Sequence, residues 1–358
     1  MRPLYFDRLE ASGKIIRLMP KVNLKALSKQ ELASFIKESG LPAFRTKQLL
    51  HWLYEKHAVS ISDITELSRE MRERLAEKAY ISNLALLDRR MSGDGTEKFL
   101  FGLEDGESIE SVLIPDEDRL TLCISSQAGC AMGCRFCLTG TMGLKRYLQP
   151  HEIADQVLSA GRIIGPRKIT NIVFMGMGEP LANFDNVVEA LWRITGLMKI
   201  SPKRVTLSTS GLAPKIIELT FKAPKVKLAV SLNATTDAVR NSIMPVNRAY
   251  PLKVLLDACR KFPLPAGRRI TFEYVMLRGI NDSPKDAKRL VTLLKGMPSK
   301  INLIPFNPYS GSEFERPDEK CVLEFQNILL KAHITAIIRK SRGQDISAAC
   351  GQLKAKYK

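Results

Sequence analysis

Three cysteines fall within eight residues in Cys130-Ala-Met-Gly-Cys134-Arg-Phe-Cys137, spaced C-x3-C-x2-C. A thiolate triad this tight can hold one metal centre from a single loop. Two centres compete for it. Structural zinc takes four protein ligands, so a fourth Cys or His must come from elsewhere. A four-iron cluster accepts a cysteine at each iron, and three cysteines leave one iron open. An open iron receives a small chelating ligand, which implies chemistry rather than scaffolding. Three unrelated buried cysteines are the bland alternative. Two more cysteines bear on the choice. Cys123 lies seven residues before the triad, and Cys350 lies near the C-terminus. Either suits a fourth zinc position or a plain structural role. Cys259, on an amphipathic stretch, and Cys321, at a helix start, read as structural.

Four further segments carry groups that suit a small ligand. In Met175-Gly-Met-Gly178-Glu179-Pro180 the glycines let backbone approach a ligand closely, and Glu179 sets a carboxylate at the rim. Such a carboxylate suits the ammonium of a bound amino acid. Ser208-Thr-Ser210-Gly211, Ser231-Leu-Asn233 and Asn307-Pro308 offer hydroxyls and amides for ribose and adenine edges. Ser, Asn and Gly favour loops in any protein. Position gives these weight, because each segment follows a predicted strand.

Those strands must hold the loops on one side. Strand patterns are predicted over 120–125, 169–175, 204–209, 226–231, 270–277, 301–305 and 334–339. Helical patterns alternate with them over 151–164, 185–198, 213–222, 252–262, 284–296 and 318–332. Repeated strand–helix units make a parallel α/β sheet, open or barrel-like, with working loops at the C-terminal strand ends. Ahead of this core, Leu84 to Arg90, Glu97 to Leu103 and Ser108 to Ile114 read as a β-meander turning at Ser92-Gly-Asp-Gly95. Earlier still, Ser28-Lys-Gln-Glu31 is a capping-box pattern that opens the first of three helices. The second runs from Phe44 to Tyr54 and the third over 68–80, making a small helical bundle or an RNA-binding accessory domain.

The chain of 358 residues carries 55 Lys and Arg against 37 Asp and Glu, a formal charge of +18. That excess is spread along the chain and suits a polyanion such as nucleic acid. Lys145, Arg146, Arg339, Lys340 and Arg342 flank the candidate loops and suit RNA or a solvated basic face equally. Seven cysteines, three of them clustered, do not form a disulfide framework in a chain this long, which points to a reducing compartment. No apolar run reaches membrane-spanning length. A cytoplasmic protein without membrane anchoring, by default a monomer, is expected.

The C-x3-C-x-aromatic-C loop resembles that of the radical S-adenosylmethionine (SAM) enzymes. From about residue 25 to 355 the chain resembles more closely the radical-SAM adenine-C2 methyltransferases that act on 23S ribosomal RNA and tRNA. The stretches that carry this are Leu122-Cys-Ile-Ser-Ser-Gln-Ala-Gly-Cys130, Gly176-Met-Gly-Glu-Pro-Leu181, Leu207-Ser-Thr-Ser-Gly211, Met244-Pro-Val-Asn247, Phe272-Glu-Tyr-Val-Met276, Asn302-Leu-Ile-Pro305 and Ala348-Ala-Cys-Gly-Gln-Leu353. A sister group methylates adenine C8 and tends to carry Ala after the Gly-Glu pair, where this chain has Pro180.

The resemblance implies a partial (βα)6-type radical-SAM barrel, an N-terminal small helical domain and a connecting β-meander. The expected boundaries are a basic extension over 1–22, the helical RNA-binding accessory domain over 23–83, the meander linker over 84–115, the radical-SAM core over 116–350 and a tail over 351–358. It implies a 4Fe-4S cluster on Cys130, Cys134 and Cys137, and two SAM molecules per turnover. Cys350 would take a methyl group from one SAM. The other, cleaved reductively, would yield the radical that removes a hydrogen from that methyl, and the product would add to the adenine ring. Glu110 would accept the C2 proton. Cys123 would resolve the adduct, leaving a Cys123–Cys350 disulfide for an electron donor that also reduces the cluster. Gly178, Glu179, Ser208, Ser231, Leu232, Asn233 and Asn307 match SAM-contacting positions. Adenine C2 is electron-poor and carries no acidic proton, so polar methyl transfer fails there and radical addition succeeds. One departure is Asn233, where the family usually has His. The other readings are a zinc-stapled RNA-binding or ribosome-assembly protein and an adenine-C8 methyltransferase.

Overall fold

Seven short strands rich in apolar residues alternate with helices after residue 118, and the chain lays them down side by side in a single sheet. The computed structural model describes residues 6–9, 15–18 and 20–354. The expected extension over 1–22 and tail over 351–358 therefore lie partly outside the described residues. Phe6–Leu9 and Ile15–Leu18 pair antiparallel. Contacts divide the chain into two units, Met1–Asn83 with Leu197–Lys199, and Leu84–Gly196 with Ile200–Lys358.

In the smaller unit the capping box forms as the sequence predicts. Glu31 N–H donates to Ser28 Oγ at 3.2 Å, and Ser28 N–H donates to the Glu31 carboxylate at 2.8 Å. Helix Lys29–Glu38 follows, then Arg45–Tyr54 and Arg69–Lys78. Leu32, Ile36, Leu49, Leu53 and Leu75 form its core, while Leu50 and Trp52 stay half-buried. Phe44 is exposed, with the Arg45 guanidinium 4.8 Å from its ring centre.

The larger unit holds a ten-stranded sheet: β1 Ala85–Met91, β2 Glu97–Gly102, β3 Ser108–Asp116, β4 Arg119–Cys123, β5 Asn171–Phe174, β6 Val205–Thr209, β7 Lys227–Ser231, β8 Ile270–Met276, β9 Ser299–Pro305 and β10 Thr335–Ile338. Spatial order follows chain order throughout. Strands β4 to β10 are parallel, and the meander β1 to β3 joins antiparallel through β3 and β4. Six strand–helix units thus end in a seventh parallel strand, and the meander continues the same sheet. Sequential order means that every crossover turns the same way. Right-handed crossovers then place all the helices on one face. The other face is left for function.

Burial follows that division. Ile172, Leu207, Val230, Phe272, Tyr274 and Leu303 are at most 2 % exposed and share the apolar face. Each contributes about 1.5–3 kcal/mol of burial. The expected helices appear at Pro150–Ile164, Phe184–Trp192, Ala213–Lys222, Leu252–Lys261, Pro284–Leu294 and Glu319–Lys331. The second of them ends at Trp192 and runs on as a π-turn, Arg193–Leu197. Among the elements not anticipated, two shape the site: the helix Asp237–Ile243 and a hairpin of Gln127–Cys130 with Gly143–Tyr147. The hairpin strands are short, glycine-rich and split by the cysteine loop, so no period-two signal marks them. Among the described residues, no helix is long and apolar enough to cross a membrane.

Candidate active site

Strand register decides which candidate side chains can meet. Lys98 opposes Val112, Val112 opposes Cys123, Cys123 opposes Val173, and Val173 opposes Thr206. Further along, Ser208 opposes Ala229, Ser231 opposes Glu273, and Glu273 opposes Asn302. Opposed residues share a face, and so do residues two apart on a strand. Lys98, Glu110, Cys123, Ser208, Ser231 and Glu273 therefore all lie on the face opposite the apolar core.

The cysteine loop hangs from the hairpin at one edge of this face. Gly129 has a φ of +80°, and a Cβ there would sit 2.0 Å from the Gly143 carbonyl oxygen, so only glycine lets the two strands close. Phe136 explains the aromatic before the last cysteine. It is 9 % exposed in an apolar cluster with Ile243, Met244, Leu277, Phe306 and Phe314, and Cys134 and Cys137 pack against that cluster. Burial pushes all three thiols up, Cys130 to about 11. Cys137 and Cys130 add to the rise at Cys134, so the sulfurs lie within each other's field.

The donor set is three thiols on one loop. Soft thiolates, each to be taken by a different iron, fit an iron–sulfur cluster. A cationic cluster would also deprotonate thiols that burial otherwise keeps neutral.

The Met175–Pro180 loop packs onto the segment 124–127. A Cβ on Gly176 would sit 2.7 Å from the Ile124 carbonyl, and one on Gly178, at φ +102°, would sit 2.5 Å from Gln127 Cβ. These glycines serve loop-on-loop packing. Gln127 Oε1 accepts from Glu179 N–H at 2.8 Å, while the buried Gln127 Nε2 has no partner, an orphaned donor beside the cysteines. Glu179 is 3 % exposed. Its carboxylate accepts from Ser210 N–H at 2.6 Å and Leu181 N–H at 2.9 Å. Burial raises its pKa against those bonds.

Arg240, from the unanticipated helix, joins the next two loops. It is fully buried and donates to the carbonyls of Ser210 at 2.6 Å, Ser231 at 3.0 Å and Leu232 at 2.9 Å, and to Asn247 Oδ1 at 2.9 Å. Burial lowers its pKa to about 10. Ser208 is buried and Ser231 half-buried on the shared face. Leu232 N–H donates to the Glu273 carbonyl at 3.0 Å. Asn233 holds a left-handed φ of +57° and is 1 % exposed. Its amide oxygen accepts from Val275 N–H at 2.8 Å, and its nitrogen faces Met244 Sδ at 3.2 Å. The Asn233 side chain is thus engaged within the protein.

The C-terminal segment returns Cys350 to this face and is fastened along its length. Asp94 Oδ2 accepts from Gly343 N–H at 3.0 Å, and Asp345 accepts from Ser92 Oγ at 2.6 Å. Asn307 accepts from Ser341 Oγ at 2.5 Å and Gln344 Nε2 at 2.8 Å, and donates to the Cys350 carbonyl at 3.3 Å. Leu138 N–H donates to the Gly351 carbonyl at 2.7 Å, and Thr139 Oγ1 to the Leu353 carbonyl at 2.7 Å. Asn307 therefore frames this segment, and the cysteine loop lies directly under it.

Glu110 anchors the same segment. It is 4 % exposed, and its carboxylate lies 3.1 Å from Lys98 Nζ and accepts from Lys354 N–H at 2.8 Å. Lys98 Nζ also donates to the Ser347 carbonyl at 3.2 Å. One ion pair thus holds the chain on both sides of Cys350. Burial, then the nearby Cys350, push the Cys123 thiol up. Cys350 is solvent-exposed yet ringed by protein, as a residue lining a concavity is. That surrounding protein raises its thiol, Glu273 raises it further, and Arg339 opposes both.

Lys98, Gln127, Arg240 and Glu273 were missed as site residues. Glu273 lies within Phe272-Glu-Tyr-Val-Met276, where strand alternation alone marks its parity with Thr271. Arg146, which suited RNA or a solvated basic face equally, is tied to Glu152 at 2.8 Å and to Asp105. Cys259 is buried in its helix, and Cys321 donates to the Asp282 carbonyl at 3.2 Å.

Residues 124–291 match the radical SAM superfamily, and residues 22–81 match the ribosomal RNA large subunit methyltransferase N-terminal domain. A dual-specificity RNA methyltransferase RlmN from Geotalea uraniireducens is 55 % identical over 340 residues, 94 % of this chain and 98 % of that protein. A second, from Geobacter sulfurreducens, is 54 % identical over 338 residues, 94 % and 92 % of the two chains. The crystal structure of a radical SAM methyltransferase from Sphaerobacter thermophilus superposes with a TM-score of 0.89 at 42 % identity, covering 94 % of this chain and all of that one.

Proposed function

The chain belongs to the dual-specificity RNA methyltransferase RlmN family, and from that premise we propose that it methylates C2 of an adenosine in 23S ribosomal RNA and of one in tRNA. The observation that carries this reading is the convergence of Cys123, Cys350 and Glu110 on one sheet face beside the cysteine loop. A zinc-stapled scaffold has no use for a second pair of thiols in electrostatic contact.

Cys130, Cys134 and Cys137 would hold the 4Fe-4S cluster, which supplies, when bound, the electron that cleaves SAM. The loops bearing Gly178, Glu179, Ser208, Ser231, Leu232 and Asn233 border the space for SAM, and Asn307 sets the Cys350 backbone there. Cys350 accepts a methyl group through its sulfur. After loss of one hydrogen, that carbon bonds to adenine C2. Glu110 takes the C2 proton, for which it must exchange one of its present partners. Cys123 then attacks the Cys350 sulfur: the sulfur–carbon bond breaks, the freed carbon takes a proton to complete the methyl group, and the unpaired electron left by radical addition departs to an external electron carrier. The Cys123–Cys350 disulfide so formed returns to thiols through an external electron donor. A cytoplasmic monomer suits this redox cycle, and the basic helical unit is assigned to RNA.

Anaerobically reconstituted enzyme given methyl-labelled SAM tests the relay. Label on the Cys350 peptide, followed by 2-methyladenosine in digested RNA, is expected. An intact cluster without label on Cys350 would overturn the relay. A product of 8-methyladenosine would overturn the C2 assignment.

A further inference from the structure

Transfer of a methyl group to Cys350 leaves one proton to place. A thiol is a poor nucleophile and its thiolate a strong one. The new bond joins the Cys350 sulfur to the methyl carbon, and the sulfonium bond of SAM breaks. The electron pair of that bond stays on the departing sulfur, giving neutral S-adenosylhomocysteine. The thiol proton must go to a base.

Strand register puts four carboxylates on the working face; Asp88 and Asp116 are partly exposed and paired with Arg90 and Arg119, which leaves Glu110 and Glu273 as the buried ones. Glu110 is committed to Lys98 and to Lys354 N–H. Glu273 lies on β8, directly across from Ser231 on one side and Asn302 on the other. It is 6 % exposed, and its carboxylate accepts from Asn302 Nδ2 at 2.9 Å. Its own carbonyl holds Leu232 N–H, so it abuts the loop that borders the SAM space. Cys350 is held from the other side by Asn307, which follows the next strand. We infer that Glu273 takes the thiol proton of Cys350 when that sulfur accepts a methyl group from SAM, an inference that rests on the relay proposed above.

The electrostatics agree with the placement. The groups facing Glu273 are Asn302 and Lys300 on β9, Arg339 just after β10, and Cys350. Burial pushes Glu273 up to about 7, with Asn302, Arg339 and Lys300 pulling the other way. A base of that strength is matched to work near neutral pH. Glu273 gives its proton back to solvent after the methyl transfer, and no redox partner is involved.

The test is Glu273→Gln in the holoenzyme, anaerobic and without RNA. Transfer of labelled methyl from SAM to Cys350 is timed across the range from about pH 6 to 9. Alkylation of Cys350 by iodoacetamide, without SAM, is timed in parallel. Loss of a general base predicts a fall in methyl loading of about 100-fold near neutrality. The rise in loading through about pH 7, present in the parent enzyme, should be lost, while SAM affinity holds. Alkylation in the open, SAM-free site, where water can take the thiol proton, should change far less than loading. Glu273→Asp, which keeps a carboxylate, should retain part of the loading. Loading at the parent rate would overturn the inference. So would weakened SAM binding with the saturated rate preserved. A parallel fall in loading and alkylation would overturn it too, since that marks a damaged site. If the parent enzyme itself fails to load Cys350, the relay falls instead.

Discussion

Replacing Lys98 with Met removes one partner of a buried ion pair and leaves the other behind. The two side chains are 10 % and 6 % exposed, with nitrogen and oxygen 3.1 Å apart. At an effective dielectric constant of about 20 their gross attraction is about 5 kcal/mol. The cost of leaving a buried charge without its partner is about 3–5 kcal/mol. Lys354 N–H still serves the lone carboxylate, which keeps the cost within that range. Loss of the bond to the Ser347 carbonyl adds about 1 kcal/mol. Glu110→Gln strands Lys98 in the same way. In the double variant both charges are gone, and the amide oxygen introduced by Glu110→Gln still accepts from Lys354 N–H. The double variant should therefore be less destabilised than the sum of the singles, by about 3 kcal/mol.

Thermal unfolding of the apoprotein under reducing conditions measures this. Lys98→Met should lower Tm by roughly 10 °C, taking about 2–4 °C per kcal/mol for a unit of this size. Amide exchange over 347–354 should quicken, because the pair holds the chain on both sides of Cys350. Additivity of the two substitutions within about 0.5 kcal/mol would refute the reasoning. A Lys98→Met shift no larger than that of a surface substitution would refute it as well.

Gly178→Ala should cost SAM affinity and thermal stability together. Its Cβ would lie 2.5 Å from Gln127 Cβ at a φ of +102°, so loop and cysteine hairpin must part. Titration calorimetry with SAM checks this, and parent-like affinity would count against the packing argument. Asp94 makes a prediction in acid. Burial opposes its charge, but bonds from Thr96, Gly343 N–H and Ser92 hold its carboxyl down to about 2. A folded value below the ordinary one means that its contribution is full above about pH 4 and is lost as pH falls toward 2. Pepsin cleavage between residues 340 and 350 should rise across that window. Equal cleavage at both ends of the window would contradict the anchor.

How much of this was legible in the sequence varied with the reach of the signal. The parallel strands and crossover helices were legible because each has a local period, 2 or 3.6, and a run long enough to show it. The cysteine loop was legible because its three ligands lie on one short segment. Asp237–Ile243 was not, because seven residues make too few turns for an apolar stripe. Lys98 was not, because it sits in Glu97-Lys-Phe-Leu-Phe101, where the flanking aromatics dominate the pattern. Its meaning comes from two long-range partners, Glu110 and Ser347, and neither is encoded near it.

The residues matched by resemblance show a second limit. Motif position marks a residue as necessary without saying what it bonds. Glu179 accepts with one carboxylate oxygen from Ser210 N–H of the next loop and with the other from Leu181 N–H, two residues along its own chain. Asn233 turns its amide to Val275 and Met244, and Asn307 binds Ser341, Gln344 and the Cys350 carbonyl. Arg240 ties two of the same loops together. A face that must take in SAM, a cluster and an adenine has little room for flexible side chains. Rigid loops instead present backbone groups and small hydroxyls, and polar side chains are spent on holding those loops still. That arrangement makes an uncommitted buried carboxylate on the same face unusual, and Glu273 is the one whose single hydrogen bond to a neutral amide leaves it able to take a proton.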